Sequence, residues 1–127
     1  MANPNIVNVT TILGNTSTLL ISSTADPFAT ALVSNAASSG KVYKINSIVA
    51  ANVDGTAAAD ITIKIFSAAA LGGTGTAIAS TISVPPDASL IVTDKTTSFY
   101  LLEDKSIGAT ASAANDIVVT CSWEEIN

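Results

Sequence analysis

The sequence predicts an all-β fold: a single antiparallel β-sandwich, jelly-roll-like, with about eight to ten short strands. Three observations carry this. Apolar and polar residues alternate with a period of two over most of the chain, which is the strand pattern. The alternating runs are short and are punctuated by turn residues such as Gly14-Asn15, Asp54-Gly55, Pro85-Pro86-Asp87 and Asn115-Asp116. No segment carries a convincing helical period, and Ile, Val and Thr dominate the apolar runs, as pleated, half-buried surfaces prefer.

Each element follows in order. Ile6 to Leu13 is rich in β-branched residues and is expected to stop at Gly14-Asn15. Thr18 to Ser22 reads as a second strand, closed by Ala25-Asp26-Pro27. Phe28 to Ser34 is ambiguous between a strand and a helical turn, and Asn35 to Gly40 reads as a loop. Val42 to Asn52 alternates at length, with Tyr43, Ile45, Ser47, Val49 and Ala51 on one face and Lys44, Asn46 and Ile48 on the other. Asp54-Gly55 is a hairpin signal, so Val42–Val53 and Asp60–Ser67 are expected to pair as an antiparallel hairpin, with Ile61, Ile63 and Ile65 on one face.

Ala68 to Thr76 contains Gly72-Gly73-Thr74-Gly75 and is expected to be a flexible loop. A phosphate cradle would need a Lys-Ser or Lys-Thr after the glycines and then a helix, and neither is present. Ala77 to Val84 is the next strand, ended by the two prolines, which cannot donate to a ladder. Ser89–Thr93 and Phe99–Leu102 are short strands. Ile107–Ser112 is a weak, small-residue strand. In the last strand Ile117, Val119, Cys121 and Trp123 share a face.

The 127 residues, 48% of them hydrophobic, suit one domain spanning 1–127 with its own core and a short extended N-terminal arm over about residues 1–9. Only 12% are charged, against about 25% in an ordinary domain. The surfaces are therefore expected to be neutral and polar, suited to packing against neighbours. There is no His and no Arg, and the five cations are all Lys against ten acids. Direct nucleic-acid binding needs clustered cations and is not expected. The single Cys121 cannot form an internal disulfide and reads as a small buried hydrophobe. No apolar run is long enough to cross a membrane as a helix, and Met1-Ala2-Asn3-Pro4-Asn5 lacks the basic and apolar regions of a secretory signal.

Chemistry finds few tools here. The acids fall mostly in turns, where Asp caps nearby amides. No dense Asp/Asn/Gly calcium loop occurs, and a hydroxyl nucleophile needs an activating base, for which, with no His, only Lys could serve. The aromatics Phe28, Tyr43, Phe66, Phe99, Tyr100 and Trp123 are scattered; Tyr43 and Trp123 lie on apolar faces, where packing is the expected use. We assign no catalytic, cofactor-binding or metal-ligating residue and expect no enzyme.

Several stretches carry a resemblance: Met1-Ala2-Asn3-Pro4-Asn5-Ile6-Val7-Asn8-Val9; Ile48 through Asp54-Gly55-Thr56 to Ile65; Ser80-Thr81-Ile82-Ser83-Val84-Pro85; Tyr100-Leu101-Leu102-Glu103; Ala109-Thr110-Ala111-Ser112-Ala113; and Cys121-Ser122-Trp123-Glu124-Glu125-Ile126. In these the chain resembles a family of small virion structural proteins of tailed bacteriophages, notably those of marine cyanobacteria. Glu103-Asp104-Lys105 stands where the pattern usually carries a Gly, and residues 14–40 match poorly. The resemblance implies a virion component, assembled in the host cytoplasm, with no enzymatic residues. The expected role is capsid decoration or cementing. The alternatives are a neck, tail or fibre component, or a carbohydrate- or receptor-binding module. Expected partners are the major capsid protein or other virion proteins, and further copies of the chain. The expected contact residues are Asn3, Pro4, Asn5 and Ile6 of the arm and Gly72, Gly73, Thr74 and Gly75, with Thr24–Gly40 as a further contact segment.

Overall fold

A computed structural model describes residues 7–22, 24 and 30–127. Among the described residues nine strands follow one another: β1 (Ile12–Leu20), β2 (Ala31–Asn35), β3 (Val42–Asn52), β4 (Ala59–Ala68), β5 (Gly72–Val84), β6 (Ser89–Thr93), β7 (Phe99–Leu101), β8 (Lys105–Ala111) and β9 (Ile117–Ile126). They form two antiparallel sheets. One runs β1-β9-β3-β6, with β7 beside β6 on the same edge of β3; the other runs β2-β8-β4-β5. The pairings nest: β1 with β9, β2 with β8, β3 with β6 and β7, and β4 with β5. Counting β6 and β7 as one interrupted strand, this is an eight-stranded ribbon folded over at the β4–β5 turn and wrapped into a sandwich. That wrapping is the jelly roll.

The core lies between the sheets. Ile45, Ile48, Ile61, Ile63, Ile107, Ile117, Val119 and Cys121 are all fully buried there. The inward face expected for the last strand is borne out: Ile117, Val119, Cys121 and Trp123 are buried. On β4 the expected face also holds, with Ile61 and Ile63 inaccessible and Ile65 packed at the core's margin.

Four local expectations are corrected. Gly14-Asn15 does not end a strand; β1 runs straight through it, in unbroken register with β9 from Ile12↔Ile126 to Leu20↔Val118. Gly in a strand costs roughly 0.5–1 kcal/mol, and the continuous ladder outweighs it. Second, β3 and β4 do not form a hairpin. They lie in opposite sheets, and the Asp54-Gly55 segment carries the chain across the sandwich. Asn52 makes that crossing possible: it is buried, its Nδ2 donates to the carbonyls of Ala57 and Val84 (both 2.9 Å), and its Oδ1 accepts from the Asp54 N–H.

Third, the inward face of β3 changes midway. Asn46 is an extra residue against β9, where the register jumps from Ile45↔Trp123 to Ser47↔Ser122. A bulge shifts the pleat by one, so Ile48 and Ala50 point inward in place of Ser47 and Val49. Fourth, the Gly72–Gly75 run is not a loop. It opens β5, and the connection is the 3₁₀ turn Ala69–Leu71. Ala70 (φ 55°) and Leu71 (φ 63°) are both left-handed, and the Gly72 N–H bonds the Ala69 carbonyl, a tight two-residue hairpin turn.

Candidate contact surface

Side chains at the ends of the sandwich are tied up in structure. The Tyr43 and Trp123 rings stack at 6.0 Å, and both are buried. Glu125 covers them. Its carboxylate accepts from Asn15 Nδ2 (3.0 Å) and Lys41 Nζ (3.2 Å). Burial pushes the Glu125 pKa up, but the bonds from Asn15 and Lys41 and the lysine's charge outweigh it and hold the acid below its usual value. The Trp123 indole nitrogen makes no hydrogen bond of good geometry, although its polarity also favours ionised Glu125.

Two of the acids placed in turns, Asp54 and Asp94, act as turn caps. Asp54 Oδ1 accepts from the Thr56 N–H and hydroxyl, and Asp94 Oδ1 does the same with Thr96; these bonds lower both pKa values. Asp104 Oδ1 takes the Ala69 N–H at 3.0 Å. Among the described residues no group of three or more His, Cys, Asp or Glu is placed to hold a metal ion, and no helix is long and apolar enough to cross a membrane.

What the fold does present is neutral sheet surface. The register puts Leu20, Val118 and Ala51 in one row across the outer face of the β1-β9-β3-β6 sheet, and Thr18, Thr120, Val49 and Ile91 in the next. None carries a charge. Ile91 is 63% exposed and Leu20 47%. Charges flank these rows on both sides: Asp116 lies one row beyond Val118, its carbonyl accepting the Val53 N–H at 2.7 Å, and two rows beyond Thr120 Lys44 stands opposite Glu124, flanked by the exposed Tyr100.

The sequence-derived contact residues fall elsewhere. Asn3, Pro4, Asn5 and Ile6 lie outside the described residues, as do 25–29 of the Thr24–Gly40 segment. Gly73 and Thr74 are exposed at the start of β5, while Gly72 and Gly75 are partly covered. Gly73 is left-handed (φ 72°), and a Cβ there would collide with the Ser67 hydroxyl, which instead accepts the Thr74 N–H at 2.8 Å. Gly75 lies opposite Phe66 in the ladder, and its missing side chain leaves room for the Phe66 ring. Beside them Ile65, Phe66, Ser67, Thr74, Thr76 and Lys105 line an open groove of about 280 Å³. The Lys105 ammonium is held against the Ser67 carbonyl at 3.0 Å. The groove is shallow and has no convergent polar set.

The neutral outer face was missed in the sequence because the Asn46 bulge decides which β3 residues point out. The sequence matches no protein-family profile and no curated protein.

Proposed function

We propose that this chain is a structural subunit of a phage virion, and that it decorates and braces the capsid shell. The observation that carries the reading is the pair of uncharged rows, Leu20–Val118–Ala51 and Thr18–Thr120–Val49–Ile91, on the outer face of the β1-β9-β3-β6 sheet, in a jelly roll where Asp54 and Asp94 cap turns and Lys41 pairs with Glu125. A sheet face of Val, Ile, Leu, Ala and Thr suits a broad, shallow contact with protein, whereas a small ligand needs a concave site with convergent polar groups. The resemblance to small virion proteins supports the same role. Fold alone does not, since jelly rolls host many activities. Each contact would contribute modest free energy, and many copies on one shell would sum to a strong brace.

Carbohydrate recognition fits less well: of the Tyr and Trp residues only Tyr100 is substantially exposed, while Tyr43 and Trp123 are buried. The test is addition to heads assembled without this chain. Saturable binding in many copies per head, with a rise in the temperature at which the heads rupture, is the expected result. Val49→Lys and Thr120→Glu, which charge the outer face, should abolish it. Heads that neither bind the chain nor gain stability would refute the reading.

A further inference from the structure

The geometry points to β1 as a self-association edge: two copies of the chain pair antiparallel through β1, about a two-fold axis at Thr16, joining their sheets into one. The inference does not depend on where the chain acts.

The main chain of β1 is half used. Thr11 exchanges bonds with Asn127, and the Ile21 N–H donates to the Ile117 carbonyl. With the strand period of two, the odd residues between them face β9. The N–H and C=O groups of Ile12, Gly14, Thr16, Thr18 and Leu20 then face away, toward an edge that no strand among the described residues pairs. Thr16 confirms the parity, because its N–H bonds its neighbour's Asn15 Oδ1 at 3.0 Å.

Exposed edges invite another strand unless something blunts them. The other edges here are blunted. β5 has three register shifts against β4 and a left-handed Thr81 (φ 48°). β2 is bulged between Ala31 and Val33. The β6–β7 edge is broken by the Lys95–Thr97 turn. β1 is nine residues long, uncharged and in unbroken register.

The occupant follows from the side chains. Ile12-Leu13-Gly14-Asn15-Thr16-Ser17-Thr18-Leu19-Leu20 reads apolar, apolar, five small or polar residues, apolar, apolar. That pattern is palindromic about Thr16, so a two-fold antiparallel pairing centred there matches apolar with apolar and polar with polar. In this register Ile12 meets Leu20 of the second copy, Leu13 meets Leu19, Gly14 meets Thr18 and Asn15 meets Ser17. Ile12 and Leu13, 56% and 61% exposed in one copy, gain apolar partners at both ends, and no charges are brought together. Thr16 pairs with its own copy, the Asn15 side chain giving up the Thr16 N–H to the new ladder.

The test is sedimentation equilibrium of the full chain from micromolar to millimolar concentration, with two variants. The chain is expected to approach twice its 12.8 kDa mass. Thr16→Lys, which sets two ammonium groups face to face on the axis, should return it to monomer with the near-ultraviolet dichroism of Tyr43 and Trp123 unchanged. Thr16→Cys places two thiols across a pair with Cα atoms about 5.5 Å apart, within disulfide reach. It should form a covalent dimer on oxidation, while Ser89→Cys on β6 should not. A chain that stays monomeric throughout, or a dimer that Thr16→Lys leaves intact and Thr16→Cys does not lock, would overturn the inference.

Discussion

Cys121 shows how much one buried group reports. It has no accessible surface, and burial pushes its thiol pKa from 9.0 up to about 12. Thiol reagents should therefore leave native protein unmodified and titrate one thiol after unfolding; fast labelling of native protein would contradict the placement. The raised pKa also sets a sign. Between pH 9 and about 12 the unfolded chain releases a proton that the folded chain keeps, so stability falls as pH rises, by about 1.4 kcal/mol per unit. Tyr43, also raised by burial, acts in the same direction. Glu125 acts oppositely: its lowered pKa gives stability above the unfolded value that is lost as pH falls through the folded one. Glu125→Gln should thus flatten the acid side of a stability–pH curve measured by urea unfolding, and an unchanged acid limb would count against the Lys41–Glu125 contact. In the core, Ile63→Ala should cost about 2–5 kcal/mol through the cavity it leaves. Burial at residues such as Cys121 and Ile63 was readable from alternation alone. The Asn15–Glu125–Lys41 cover was not, because its members are far apart in sequence and only the β1–β9–β3 ladder brings them together.

At the scale of elements, the β4–β5 turn holds the clearest strain. Ala70 and Leu71 occupy a region that disfavours a Cβ by roughly 1–2 kcal/mol each. The surroundings enforce it: the N–H groups of Ala69, Ala70 and Leu71 donate to Asp104, Ser34 and Ser106 side chains at 2.8–3.0 Å. Ala70→Gly should accordingly raise stability by about 0.5–1 kcal/mol, measured by denaturant unfolding, although glycine usually weakens ordered structure. Gly75→Ala should do the reverse, losing about 1–3 kcal/mol, since a methyl there would sit 2.9 Å from Phe66 Cε1; Gly14, with nothing within 4 Å, should tolerate alanine. Asn52→Ala should cost about 1–3 kcal/mol by stranding the buried Val84 carbonyl and loosening the β3–β4 crossing. These elements also mark where sequence reading stopped. Strand positions came through because alternation is local. Pairing did not: Asp54-Gly55 looks the same whether the chain turns back or crosses over, and the difference lies in the partners of Asn52. Nor does local pattern separate a glycine loop from glycines that make room for Phe66 and the Ser67 hydroxyl.

For the whole molecule, the sandwich architecture was legible because many short alternating strands have few other ways to bury one face. The order of strands, which turns a sandwich into a jelly roll, and the outer face that β3 shares with β9 depend on long-range pairing and on one bulged residue, Asn46. That outer face is what the proposed role rests on. The account holds that many copies lie flat on a protein shell through neutral surface. The most direct measurement is a density map of intact particles with this chain located by a bound label. We predict density repeated over the capsid surface, with the β1-β9-β3-β6 face turned toward the shell. Label confined to a neck, tail or fibre, or particles that lack the chain altogether, would contradict it.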